Sequence, residues 1–298
     1  MRRLLPALLA TFSIISTTAA ATAEPDPVDH VDEVVLADHV DQADTFTYVA
    51  LGDSAAAGPL IPQQDTSAPG CLRSTRNWPA VLAAQLGAEL TDVTCSGAVT
   101  DDLAGSQETF DGRQAPQADA LTPEADLVTI TIGGNDVDLV GTALDCVNLL
   151  PEPLGTSCRD RLTANGRDRL AEEVDAYATE FADALDLIAT KSPEARVVVV
   201  GYGTYIQPGG CYPDQPIWGR DSDYLQASIH RLNEVLARES AAHGATFVDI
   251  APPSVGHDAC APARTRWFEG FSPTGPAAPL HPNARGMDAI GRWVADRL

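Results

Sequence analysis

The stretch FTYVALGDSAAAGP, residues 46–59, carries two local patterns back to back. Residues 46–51 are uncharged and rich in aromatic and β-branched side chains, the composition of a buried strand. Gly52 and Asp53 then break the run, and Ser54 opens an alanine-rich segment at a position where serine favours a helix start. A strand delivering its last residues into a tight strand-to-helix turn is the expected reading. Further runs of the same kind follow at residues 90–94 (a weaker one), 127–132, 197–200 and 246–250.

Helical stripes separate these runs. Leu170, Val174, Tyr177, Phe181, Leu185 and Ile188 recur at helical spacing between the third and fourth runs, and Leu225, Ile229, Leu232 and Leu236 precede the fifth. Met287, Ile290, Val294 and Leu298 repeat the pattern at the C-terminus. Alternating strands and helices predict an α/β fold, a three-layer α/β/α sandwich on a five-stranded parallel sheet with right-handed crossovers. In the flavodoxin-like order 2-1-3-4-5, ligands bind outside the strand ends between strands one and three. The turn at Ser54 follows strand one, and the motif TIGGND, residues 131–136, follows strand three.

A third motif, LHPNARG at residues 280–286, adds a histidine. Serine nucleophile, amide donor and histidine base are the groups that acyl transfer at neutral pH requires. Asn135 supplies donor hydrogens, whereas the adjacent Asp136 supplies only acceptors, so Asn135 is the expected oxyanion ligand. Gly97 in CSGA lacks a Cβ, which lets its backbone approach a ligand. Asp53 and Asp136 are expected to brace their turns. His257, in GHDAC, is the alternative base, while His230 and His243 are expected at the surface.

On these residues the chain resembles the SGNH (GDSL-type) serine hydrolase superfamily, most closely its secreted bacterial esterases and lipases with three disulfides. The likeness spans residues 46–298. It implies Ser54 as nucleophile, His281 as base, and Ser54, Gly97 and Asn135 as oxyanion donors. Family members commonly place Asp three residues before the histidine; here that position is Ala278. The resemblance then implies a dyad whose histidine is oriented by a main-chain carbonyl, expected at Ala278. An acid from elsewhere, such as Glu269 or Asp288, is the alternative. No metal and no cofactor is implied. Ester hydrolysis of a small-molecule or lipid substrate is expected, with a polysaccharide deacetylase or a non-catalytic binding protein on the same fold as alternatives. A nucleotide-binding protein would need a glycine-rich phosphate loop, and neither GxxxxGK[ST] nor GxGxxG occurs.

Arg2 and Arg3 precede an apolar run at residues 4–15, and Ala21-Thr22-Ala23 matches a cleavage site, so residues 1–23 read as a signal peptide and the protein as secreted. The run is too short for a membrane span. Residues 24–44 hold eight acids and no Lys or Arg and read as a disordered acidic leader, leaving 45–298 as the hydrolase domain. Losing residues 1–23 removes two of 19 basic residues and none of 42 acidic ones, a formal charge of −25. Nucleic acid and anionic lipid are therefore poor partners, and a monomer is expected. Six cysteines in an exported chain point to three disulfides rather than zinc, since no CxxC pair appears. Sequential pairing, Cys71 with Cys95, Cys146 with Cys158 and Cys211 with Cys260, would staple one loop region after a strand each. Loops at 59–77, 141–163 and 203–221 are expected to rim the cleft. Leu60, Ile61, Leu139, Leu144, Leu149, Leu150, Tyr205 and Trp218 suit acyl contact or ordinary packing equally.

Overall fold

The computed structural model describes residues 45–298. The signal-peptide and acidic-leader expectations, with His30 and His39, lie outside the described residues. Among the described residues, seven strands run β1 Thr47–Gly52, β2 Glu89–Asp92, β3 Gln107–Thr109, β4 Gly112–Gln114, β5 Leu127–Thr131, β6 Arg196–Val200 and β7 Thr246–Val248. The helices are α1 Ser54–Ala57, α2 Trp78–Leu86, α3 Leu139–Asp145, α4 Cys158–Leu162, α5 Arg169–Ala176, α6 Ala178–Lys191, α7 Gly219–Ala242, α8 Ala251–Ser254 and α9 Ala284–Ala295.

The main sheet has the order β2-β1-β5-β6-β7, parallel throughout, which is the expected doubly wound arrangement. Successive side chains on a strand face opposite layers, and the core divides accordingly. Val49 and Leu51 of β1, Val128 and Ile130 of β5 and Val199 of β6 pack with Leu170, Val174, Phe181, Leu185 and Leu232 from α5, α6 and α7. Tyr48, Ala50, Leu127, Val198 and Val200 pack with Trp78, Leu82, Met287, Ile290 and Val294 from α2 and α9. Burial on both faces is what makes these strands read as continuous apolar runs. Strand β2 read weakly because it lies at an edge, with Glu89 and Thr91 turned to solvent.

Two details differ from expectation. The stripe from Leu170 to Ile188 belongs to two helices, α5 and α6, that meet at Tyr177. Tyr177 keeps its place in the core, so the apolar spacing survives the break. An antiparallel ribbon, β3 with β4, follows the 95–98 turn; three residues per strand give too little periodicity to be read in advance.

Register positions the motifs. Gly52 pairs with Thr131 at the carboxyl ends of β1 and β5, so the turns carrying Ser54 and Asn135 leave the sheet side by side at the switch point. Among the described residues, no helix is long and apolar enough to cross a membrane.

Candidate active site

The Ser54 turn begins at Gly52, whose φ of +138° and position against β5 both demand glycine: a Cβ there would stand 2.4 Å from the Thr131 carbonyl oxygen. Gln117 grips the same residue, accepting from Gly52 N–H at 2.7 Å and donating to Gly52 O at 3.0 Å. Asp53 donates its N–H to Thr131 O at 2.9 Å, and its Oδ1 caps α1 by accepting from Ala55 N–H at 2.7 Å. Asp53 thus braces the turn. Burial pushes its carboxyl up to about 7, against the hydrogen bonds from Tyr202 and Ala55 that favour the ionised form.

His281 arrives from the far end of the chain. Asn283, two residues later, caps α9 by accepting from the N–H groups of Arg285 and Gly286, both at 3.0 Å. The segment before it is laced to residues 267–269: Glu269 N–H donates to His281 O at 2.9 Å and Asn283 N–H to Trp267 O at 2.8 Å. The half-buried imidazole then places Nε2 2.7 Å from Ser54 Oγ. Its Nδ1 lies 2.7 Å from a carbonyl oxygen, which assigns the proton to Nδ1 and leaves Nε2 free to accept from the serine hydroxyl.

That carbonyl belongs to Pro279, which corrects the expectation for Ala278. Ala278 instead donates its N–H to Pro59 O at 3.0 Å. The reason is a turn: Leu280 adopts φ +63°, a left-handed conformation uncommon for leucine, and folds the Pro279 carbonyl back over the next side chain. Burial lowers the His281 pKa from its usual value, partly offset by the Pro279 hydrogen bond. Among the described residues, no carboxylate reaches Nδ1. Glu269 accepts from Thr274 N–H at 2.8 Å and Asn283 Nδ2 at 2.8 Å. Asp288 pairs with Arg292 at 3.0 Å on α9, and Asp258 caps Cys260 N–H at 2.8 Å. His257, the alternative base, donates its Nδ1–H to Thr265 O at 2.6 Å and stacks on Trp267.

Asn135 donates one Nδ2 hydrogen to Ala98 O at 2.8 Å, which leaves the second available. The same bond ties the GGND turn to the CSGA turn. Gly97, at φ +83°, precedes Ala98 and lies outside the residues that line the cleft. Its turn is held by the Cys71–Cys95 disulfide, by Ser96 N–H donating to Cys71 O at 2.9 Å, and by Cys95 N–H donating to Gly52 O at 2.9 Å. The other bridges are Cys146–Cys158 and Cys211–Cys260, the sequential pairing. Asp136 accepts from Thr100 N–H at 2.8 Å, a bracing duty like that of Asp53.

Ser54, Asn135 and His281 open onto a cleft enclosing about 860 Å³ including its open mouth. Leu139, Val140, Ala143, Ile206, Ile217, Leu225, Ile229 and Phe271 line its apolar wall. Of the loops expected to rim it, 141–163 and 203–221 contribute, but 59–77 does not: Ile61 is buried in the core under α2 and α9. Leu139 and Tyr205 face the cleft, while Trp218 is buried and donates its indole N–H to Leu150 O at 2.9 Å. Among the described residues, no group of three or more His, Cys, Asp or Glu is arranged to hold a metal.

Sequence reading missed two residues that build the site. Gln117 opens a single turn of 3-10 helix, Gln117–Ala120, that carries no motif. Tyr202, just past β6, joins the two motif turns through its hydroxyl, and a lone tyrosine after a strand carries no signal of that contact.

Comparison with known proteins places the whole chain. The model of the GDSL-like Lipase/Acylhydrolase family matches residues 50–289. Lipase 2 of Streptomyces coelicolor is 38% identical over 262 residues, covering 85% of this chain and 86% of the relative. A lipase of Streptomyces rimosus is 34% identical over 243 residues, 80% of this chain and 82% of the relative. Among solved structures, phospholipase A1 from Streptomyces albidoflavus NA297 superposes with a TM-score of 0.70 at 27% identity, covering 85% of this chain and 98% of that one. The extracellular lipase of Streptomyces rimosus superposes with a TM-score of 0.66 at 27% identity, covering 85% and 99%.

Proposed function

The chain belongs to the GDSL-like lipase and acylhydrolase family and is a carboxylic ester hydrolase, and from that premise we propose that it is exported and works through a Ser54 acyl-enzyme. As Ser54 Oγ bonds to the ester carbonyl carbon, His281 Nε2 takes the hydroxyl proton, and the carbonyl π pair moves onto oxygen. Ser54 N–H, Gly97 N–H and Asn135 Nδ2–H stabilise that oxyanion. Collapse expels the alkoxide, which recovers the proton from His281. Water then attacks the acyl-enzyme by the same route, releasing the acid and restoring Ser54. Pro279 O holds Nδ1–H and so keeps the tautomer in which Nε2 is the acceptor. The observation that carries this reading is the 2.7 Å approach of His281 Nε2 to Ser54 Oγ in a ring whose Nδ1 is already committed.

The apolar wall favours an aliphatic acyl chain over an acetylated sugar. A series of nitrophenyl esters of graded acyl length tests this, with a fluorophosphonate probe and peptide mapping to find the labelled residue. Label on any residue other than Ser54, or a preference for acetyl over every longer chain, would overturn the corresponding half of the proposal. Export is supported by the residues 1–23 pattern and by three disulfides, which persist in oxidising compartments. The N-terminus of protein recovered from culture medium is expected at Glu24.

Because no carboxylate among the described residues engages His281, Glu269→Gln, Asp288→Asn and Asp258→Asn should each fall far short of the roughly 10⁴-fold loss that follows removal of a triad aspartate's charge. For wild type, kcat/KM should be full above the imidazole pKa and fall as pH drops through it. That pKa lies below the usual value, so the acid limb belongs below about 6.5. A collapse of rate in one folded carboxylate variant would show a triad.

The Cys71–Cys95 bridge is expected to matter to rate as well as stability, because it anchors the turn that bears Gly97. Replacing both cysteines by alanine should cost about 2–4 kcal/mol in urea unfolding and also lower kcat. The same change at Cys146 and Cys158, which pack behind the apolar wall rather than under the donor turns, should lower stability and raise KM while leaving kcat near wild type. Equal kcat in both double variants would remove Gly97 from the oxyanion donors.

A further inference from the structure

Strand β6 delivers Tyr202 to the site with its backbone already fixed. Asn233 on α7 clamps it from both sides, accepting from Tyr202 N–H at 2.8 Å and donating to Tyr202 O at 2.7 Å. The side chain is buried, and its hydroxyl has one hydrogen to give and lone pairs to offer. The hydrogen goes to Asp53 Oδ2 at 2.6 Å. A lone pair accepts from Gly134 N–H at 2.8 Å. Asp53 is the residue before Ser54, and Gly134 is the residue before Asn135. The phenol oxygen therefore stands between two turns from different strands, one peptide unit away from a donor on each. A Cβ on Gly134 would lie 3.0 Å from that oxygen, so the turn is packed directly against it.

We infer that Tyr202 is a positioning residue for ester hydrolysis, its hydroxyl setting the separation between the Ser54 amide and the Asn135 side chain. The inference rests on the proposed acyl-enzyme mechanism. An oxyanion site works only when its donors are held at their spacing before charge develops, since reorganisation during the reaction forfeits the gain. Sheet register and the Asp53 N–H to Thr131 O bond fix the strand ends beneath these turns, and beyond that level the turns are linked through the Tyr202 hydroxyl. Asn135 is tied on one side to Ala98 O and, through Gly134, to Tyr202. With the hydroxyl removed, Gly134 N–H and one Asp53 oxygen lose their shared partner, and the spacing of the two turns above the strand ends loosens.

The test compares Tyr202→Phe with Tyr48→Phe, which removes another buried hydroxyl, bonded to Thr129 Oγ1 at 2.7 Å within the sheet. Each is assayed for kcat and KM on a nitrophenyl ester, for affinity toward an alkyl boronic acid that forms a tetrahedral adduct with the serine, and for Tm. Tyr202→Phe should lower kcat by roughly 10-fold to 100-fold, the scale of an ångström-sized misplacement, with KM changed less than about 3-fold. Boronate affinity should fall in parallel with kcat/KM. Tyr48→Phe should lower Tm while leaving kcat and boronate affinity near wild type. A folded Tyr202→Phe with wild-type kcat, or one whose only change is the Tm loss seen for Tyr48→Phe, would overturn the inference. Should Tyr202→Phe not fold, Asn233→Ala keeps the hydroxyl but releases its backbone, and a smaller loss of the same kind is expected; unchanged kcat there would also overturn it. Failure of the underlying mechanism shows elsewhere, as wild type that does not bind boronate and Ser54→Ala that still turns over.

Discussion

Ser54→Ala is expected to lower kcat on the order of 10⁴-fold to 10⁶-fold with the fold intact. The hydroxyl is the atom that would bond to the acyl carbon, and alanine leaves His281 Nε2 with nothing to deprotonate but water. His281→Ala should fall to a similar level, because a serine without its 2.7 Å acceptor keeps its proton. The double variant should be no slower than either single one, since the two side chains act as one unit and their losses do not add. Initial rates on a nitrophenyl ester, circular dichroism for the fold and fluorophosphonate labelling form the check. Wild-type turnover by purified Ser54→Ala would end the acyl-enzyme proposal. Losses that add in the double variant would show that the two residues serve separate steps.

Asn135→Ala carries the next largest expectation, a fall in kcat of about 10²-fold to 10³-fold with little change in KM. Its free Nδ2 hydrogen would meet a charge that exists only after Ser54 has attacked, so ground-state binding should be spared. Asn135→Asp should be comparably slow, because a donor becomes a charged acceptor facing an anion. The bond from Asn135 to Ala98 O adds a second consequence: both variants also release the CSGA turn and should lose about 1 kcal/mol of stability. Rate and stability therefore separate the two duties. A steady kcat accompanied by a lower Tm would make Asn135 a tie between loops and nothing more.

Much of the architecture is written in residues that act locally. The runs at β1, β5 and β6 are apolar because both sheet faces are covered, and that burial leaves a periodicity that can be read without coordinates. Gly52, Ser54, Asn135 and His281 stood out because each lies in a short motif where the backbone must turn or a polar group must face a ligand. Pro279 could not be found this way. Whether the carbonyl of residue 278 or 279 reaches Nδ1 depends on the positive φ of Leu280, and leucine gives no sign of adopting it.

Which segments form strands and helices, and the residue types expected at the site, were thus legible in the sequence alone, through burial periodicity and turn chemistry that depend on near neighbours. The strand order, by contrast, followed from the expected flavodoxin-like fold and was settled by pairing in space. Only the tertiary structure decided which partners those groups take. Tyr202 meets Asp53 across 149 positions of chain and Gly134 across 68, and Gln117 meets Gly52 across 65. The apolar wall likewise joins α3, α7 and residues 206–217 only once the helices pack. Hydrogen bonds and cleft walls depend on distance in space, and chain separation of that size leaves no periodic trace along the sequence.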